Sequence, residues 1–194
     1  MKKIFFCLLF INFQILNAQS LTWFEGSLVL STCEVLVGKI SIKDEHDLIL
    51  FEKDEKRTVY PAHKIRSLYF YDRGSNINRR YLSLKDDNGV RSTDHLYEIV
   101  VSGKVDVLRK KKMTAFSEHP GELDFNYFIR YNDELLALRK FKKKVFPQLQ
   151  SEPDTRLENF IAANKLRVDL PTGAIRIIEY YNSIVKIDEP IARY

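Results

Sequence analysis

The hydrophobic period of this chain switches once, near Leu138, from two residues to about three and a half, and that switch confines it to an α+β architecture. From Leu21 to Arg109 short runs rich in β-branched and aromatic residues alternate with turn signals. Val35 and Val37 alternate with polar or solvent-side positions, and Ile40 and Ile42 resume after Gly38 with the phase shifted, which predicts a bulge at the glycine. Leu48-Ile49-Leu50-Phe51 reads as a strand buried on both faces. Between Ile65 and Tyr71, Leu68 and Phe70 alternate with Tyr69 and Tyr71. Tyr81 to Leu84 leads into the turn Asp86-Asp87-Asn88-Gly89. Leu96 to Val101 and Lys104 to Leu108 flank Ser102-Gly103, where a glycine with positive φ would close a two-residue hairpin; Asn132-Asp133 marks another.

Beyond the switch, Leu138, Phe141, Val145 and Leu149 share one helix face, with Pro147 expected to end or kink it. Thr155 to Glu158 has capping-box spacing ahead of a helix carrying Leu157, Phe160, Ile161 and Leu166. A third helix starts at Pro171-Thr172 and is apolar on two stripes, one with Ile175, Ile178 and Val185, the other with Ile177, Tyr181 and Ile184, as a buried helix requires. The fold class expected is therefore α+β, an antiparallel β-barrel or sandwich-like sheet followed by a hairpin and three amphipathic helices. Its expected divisions are a signal peptide over 1–18, a β-rich domain over 19–112, a linker or long loop over 113–124, and a hairpin plus helical part packed on the sheet over 125–194.

The signal peptide rests on three zones. Lys2 and Lys3 supply a positive start, Ile4 to Ile11 an apolar run carried on by Phe13, Ile15 and Leu16, and Ala18 a small residue at the cleavage position. The run falls short of the roughly 20 apolar residues that span a bilayer, and Asn12, Gln14 and Asn17 interrupt it. Cys7 lies inside the run, not after the cleavage point as a lipoprotein needs. Removing the leader leaves 29 basic against 26 acidic residues, a balance too mild to indicate a nucleic-acid partner. It also leaves Cys33 as the one cysteine, so the fold is held by burial and not by an internal disulfide. Cys33, beside a strand and without a histidine signature, reads as a small buried hydrophobe. With a helical, amphipathic C-terminal third, no transmembrane span and no membrane barrel are expected in the mature chain.

Four stretches carry a resemblance. They are Gly38-Lys39-Ile40 after an apolar strand, Pro61-Ala62-His63-Lys64-Ile65 before an aromatic one, Glu98 through Ser102-Gly103-Lys104-Val105, and Ile177-Ile178-Glu179-Tyr180-Tyr181-Asn182. In this order the chain resembles a family of small exported proteins of Gram-negative bacteria, with a β-rich N-terminal half, a helical C-terminal part and no assigned activity. It departs from the family's more glycine-rich first turn at Ser31-Thr32-Cys33-Glu34. The resemblance implies export and architecture; it supplies no catalytic residue.

Chemistry-bearing motifs are sparse. His46, His63, His95 and His119 show no metal-ligand spacing, and Asp44-Glu45-His46-Asp47 reads as a solvated turn, with weak cation binding as the sharper alternative. No nucleophile elbow or phosphate-binding glycine loop occurs, and the pair Asp86-Asp87 reads as turn chemistry. No cofactor is expected. Two basic runs stand out, Arg109 with Lys110, Lys111 and Lys112, and Arg139 and Lys140 with Lys142, Lys143 and Lys144 around Phe141. Converged, they would make a cationic surface for an anionic lipid, lipopolysaccharide or acidic partner; apart, they are solvated faces. The aromatic clusters Tyr69-Phe70-Tyr71, Tyr127-Phe128 and Tyr180-Tyr181 suit a core more simply than a sugar or peptide groove.

The functional expectation is a non-enzymatic envelope or secreted protein, in the periplasm, at the outer-membrane periphery or outside, binding an unknown protein or envelope component. One alternative is a hydrolase whose groups, such as two of His63, His95 and Glu98, meet only in the fold. The other is a carrier holding a small apolar ligand in an unfilled barrel.

Overall fold

The computed structural model describes residues 21–86, 92–112, 125–151 and 155–185. The leader assigned to residues 1–18, the linker over 113–124, His119 and most of the Asp86–Gly89 turn lie outside them. The fold is α+β. Ten strands form one antiparallel sheet, β1 Phe24–Leu30, β2 Val35–Lys43, β3 Leu48–Lys53, β4 Lys56–Pro61, β5 Ile65–Asp72, β6 Ile77–Asp86, β7 Thr93–Val101, β8 Asp106–Lys111, β9 Phe125–Tyr131 and β10 Glu134–Ala137. Their order is β10-β9-β8-β7-β6-β5-β1-β2-β3-β4, and the sheet is open, with edges at β4 and β10. Four helices follow, α1 Phe141–Lys144, α2 Phe146–Gln150, α3 Arg156–Ala163 and α4 Pro171–Ile184.

The one non-sequential neighbour, β1 beside β5, forces the sheet to curl. Four strand spacings separate β4 from β5, about 19 Å if flat, whereas the chain from Pro61 to Ile65 reaches about 14 Å at most. Two hydrogen bonds mark where the curl returns upon itself. Ser83 Oγ donates to the Ala62 carbonyl at 2.8 Å, and the Ala62 N–H donates to the Asp47 carbonyl at 2.9 Å.

Residues directly opposite in a ladder share a face, so the register follows one face across seven strands, through Leu36, Leu28, Leu68, Tyr81, Glu98, Arg109 and Tyr127. At the β2 end this face is the interior of the curl, filled by Leu28, Ile40, Ile49, Phe51, Leu68, Phe70 and Tyr81. The rings of Phe24 and Phe70 stack at 4.4 Å, and those of Phe70 and Tyr81 at 6.0 Å. At the β9 end the same face is covered by the helices, with Val107, Ile129 and Leu136 against Phe141, Val145, Leu149, Leu157, Ile177, Ile178 and Tyr181. Two cores thus lie side by side on one face, and the Glu98–Arg109 position is the seam between them.

α4 is tied to the β7–β8 connection through Asn182. Its Oδ1 accepts from the Val105 N–H at 3.0 Å and its Nδ2 donates to the Val105 carbonyl at 2.8 Å, the exchange a neighbouring strand would make. Gly103 has no positive φ; a Cβ there would fall 2.3 Å from the Asn182 side chain, so the glycine makes room for the helix and does not close a tight hairpin.

Other local expectations are corrected too. β2 is unbulged, with Gly38 opposite Gly26 in a regular ladder. A Cβ at Gly38 would meet the Phe51 ring at 2.8 Å, so the phase change reflects a ring laid over the glycine, and Val35 and Val37 point outward, exposed. β3 buries Ile49 and Phe51, while Leu48 and Leu50 on the other face are half-buried. Cys33 is exposed, in the β1–β2 turn, with φ 68. The helix over Leu138 to Leu149 is broken: a 3-10 turn over Leu138–Lys140 precedes α1, and Pro147 lies in the first turn of α2, where its missing N–H costs nothing. Thr155 makes no side-chain cap, and Leu166 lies beyond α3.

Candidate functional site

Three clusters of buried and half-buried charge each close on themselves. At the seam, Glu98 Oε1 accepts from Arg79 at 2.7 Å and Oε2 from Arg109 at 2.7 Å. Arg79 also donates to Asp72 at 2.9 Å, and the Arg109 guanidinium lies 4.3 Å from the centre of the Phe125 ring. Burial alone would depress both arginines, but their carboxylate partners outweigh it and hold them firmly protonated. In the second cluster the buried Asp106 takes Arg130 Nε at 2.9 Å on Oδ2 and the Gly103 N–H at 3.0 Å on Oδ1.

The third cluster surrounds Asp47, which follows a 3-10 turn over Asp44–His46 and adopts φ 51. The β7–β8 ladder stops at Glu98–Arg109, and beyond it the Asp47 side chain takes the place of a strand: Oδ1 accepts from the Leu96 N–H at 2.9 Å. Oδ2 lies 2.6 Å from His95 Nδ1 and 2.9 Å from Lys110 Nζ. Thr93 Oγ1, 3.0 Å from His95 Nε2, completes a line of hydroxyl, imidazole and carboxylate. That line has the form of a nucleophilic relay. Its carboxylate, however, is committed to a backbone N–H and an ammonium, and Lys110 Nζ also sits 2.6 Å from His95 Nδ1, competing for the atom a relay would use. The arrangement pins the β2–β3 turn onto β7 and β8.

Burial pushes the Asp47 carboxyl up, but the Leu96 N–H, His95 and Lys110 together outweigh it and hold the group below its ordinary 3.8. A carboxyl depressed on folding contributes stability that is present above its unfolded value and lost as pH falls through the folded one. Stability of the wild type is therefore expected to drop below about pH 4, and Asp47→Asn to flatten that acid limb in urea titrations between pH 2 and 6. An unchanged limb would show that Asp47 carries no linkage.

The residues singled out by sequence thus separate. His95 meets Asp47 and Lys110, while Glu98, on the opposite face of β7, meets Arg79 and Arg109. His46 and His63 are exposed. Among the described residues no three His, Cys, Asp or Glu side chains are grouped to hold a metal ion. Tyr69 and Tyr71 are exposed, their hydroxyls donating to Asn78 at 2.7 Å and to Asn76. Tyr181 is buried and Tyr180 stacks on Phe160 at 3.9 Å.

The two basic runs differ in kind. Lys110 is bound to Asp47, Lys111 lies 3.8 Å from Glu45, and Lys112 has an interaction partner as well. By contrast Arg139, Lys140, Lys142, Lys143 and Lys144 are all exposed, and among the described residues no acidic side chain forms an ion pair with them. Buried Phe141 and Val145 hold this run against the helical core. Asp169 is taken by Arg167 at 2.6 Å. Its carboxyl is held below the usual range, chiefly by Arg167, with Lys142 close enough to contribute. Asp47, Glu98 and Asp106 carried no sequence signal as anchors, because their charged side-chain partners lie 11 to 63 residues away. Comparison with family models, with curated proteins and with solved structures returns no match for this chain.

Proposed function

We propose that this protein is a non-enzymatic exported protein, acting in the periplasm, at the outer-membrane periphery or outside the cell, that binds an anionic envelope component through the face formed by Arg139 to Lys144. The observation that carries the reading is that five exposed bases fall within six residues, with no acidic side chain among the described residues in an ion pair with them, on a turn seated by buried Phe141 and Val145. Among the described residues no buried side-chain nitrogen or oxygen lacks a hydrogen-bond partner, which leaves the interior satisfied and the surface as the place for recognition. The curl is packed with aromatic rings, which gives a carrier role no support. No helix among the described residues is long and apolar enough to cross a membrane.

Wild-type protein should co-sediment with envelope fragments at low salt and be released as salt shortens the Debye length. The pair Lys142→Glu and Lys143→Glu should lower retention to background without changing the circular dichroism spectrum. Salt-insensitive association, or association untouched by the two reversals, would refute the surface. Export is checked separately by mass spectrometry of the mature N-terminus, expected to begin at Gln19; a soluble cytosolic product starting at Met1 would refute it.

A further inference from the structure

The interior of the curl is filled, but its outer face is apolar where β2, β1 and β5 run side by side. Val35 and Val37 are 60% and 65% exposed on β2. The ladder sets Val35 opposite Val29 and Val37 opposite Ser27 on β1, and Ser27 opposite Tyr69 on β5. Tyr71, two residues on, is exposed on the same face. Four of the eight exposed large apolar side chains among the described residues therefore meet on three adjacent strands. Apolar surface gathered in this way, and not scattered singly, marks a contact with another molecule. It is bounded at one end by the charged row Lys39, Glu52 and Arg57, and at the other by the β1–β2 turn with Glu34.

The charge on this face matches its own reverse. Along β2 an acid, two outward valines and a base follow one another, Glu34, Val35, Val37 and Lys39. Turned end for end about a two-fold axis, the same row sets Glu34 against Lys39 of a second copy at both ends, with the valines between. Both charges are open to such a contact. Glu34 is exposed, and among the described residues no ion pair holds it. Lys39 lies 3.6 Å from Glu52, which Arg57 already holds at 2.6 Å, and half its side chain is exposed. A contact between identical surfaces needs this self-complementarity; a different partner would need no such reversal.

We infer that two copies of this chain pair through the outer face of β2, β1 and β5, their β2 strands antiparallel, Val35 and Val37 interleaved, and Glu34 of each meeting Lys39 of the other. At ladder spacing the footprint is only about 10 Å by 14 Å. That is well under the ~800 Å² per partner of a stable complex, so the dimer is a weak one, with a dissociation constant on the order of 10 to 100 μM. The test is sedimentation equilibrium of the purified exported protein over concentrations spanning that constant. Wild type is expected to pass from monomer to dimer. Val37→Glu should weaken association more than about tenfold, by setting a charge against a valine, while leaving the circular dichroism and melting temperature unchanged. Glu34→Lys and Lys39→Glu should each weaken it about tenfold, two opposite pairs becoming two like pairs. Combined, they exchange the charges and should return association to within about twofold of wild type. A role in folding alone cannot produce that rescue. In this arrangement the two Cys33 thiols lie about seven residue spacings apart, roughly 24 Å and too far for a disulfide, so Cys33→Ser should associate as wild type does. A monomer at every concentration would overturn the inference. So would a dimer indifferent to Val37→Glu, one linked through Cys33, or a double variant that associates no better than its singles.

Discussion

Glu98→Ala should lower the unfolding free energy by about 3 kcal/mol, read as a reduced urea midpoint at unchanged slope. Glu98 is 7% exposed and is the shared carboxylate of Arg79 and Arg109. Removing it leaves two guanidinium groups in a seam between two apolar cores, and the stranded charges, more than the lost bonds, set the size of the effect. The usual cost of breaking such a pair is about 3–5 kcal/mol. The lower end applies because Arg79 and Arg109 retain 20% and 24% side-chain exposure, and Asp72 still holds Arg79. Trp23, the single tryptophan, reports on the curled end, and far-ultraviolet circular dichroism reports on the helices. Both signals should shift together, since the seam joins the two cores. A loss below about 1 kcal/mol, the range of surface pairs, would show that the seam is solvated and Glu98 dispensable.

Gly26→Ala should cost about as much, by a different route. A Cβ at Gly26 would lie 2.3 Å from the Tyr69 carbonyl oxygen and 2.7 Å from Phe70 Cβ. Both obstacles belong to the adjacent strand β5, one of them main chain, so no rotamer change can relieve the contact and β1 must move away from β5. Overpacking costs typically about 1–3 kcal/mol, and rigid neighbours place this case at the top of that range. For a domain of this size the melting temperature should fall by about 10 °C. Gly74→Ala is the control. Its nearest neighbour is Asp72 Oδ1 at 3.4 Å and its φ is not positive, so no comparable loss is expected. Equal melting temperatures for the two variants would contradict the tight β1–β5 contact.

Some elements were readable because their causes are local. Asn132 and Asp133 tolerate the left-handed conformation, and they take φ 49 and 61 in the β9–β10 turn. Asp54 and Glu55 take φ 49 and 62 in a turn of the same kind, but without an asparagine or glycine to announce it. Leu68 and Phe70 are buried and Tyr69 and Tyr71 exposed, as period-two alternation requires. Pro171 opens α4 because its fixed φ suits the first turn. Where a residue's role is set by a distant neighbour, the same rules misled. Gly38 looked like a bulge and is a seat for Phe51; Gly103 looked like a hairpin residue and is a seat for Asn182. At the surface, the α1 run was legible as charge, but not that no acid among the described residues pairs with it, nor the pairing of Lys110 and Lys111, because both depend on which acids the fold brings near.

By itself, then, the order of residues determined the kinds of element, their approximate extents and the switch from sheet to helix. These follow from side-chain periodicity and turn chemistry acting over a few residues. Only the tertiary structure decided that β1 lies between β2 and β5, that the sheet curls without closing, and that Asp47 meets partners 48 and 63 residues away. The physical reason is that such pairings bring chain ends together at a loop-closure cost and are selected by the burial of a whole face, a sum over many residues that no local window contains.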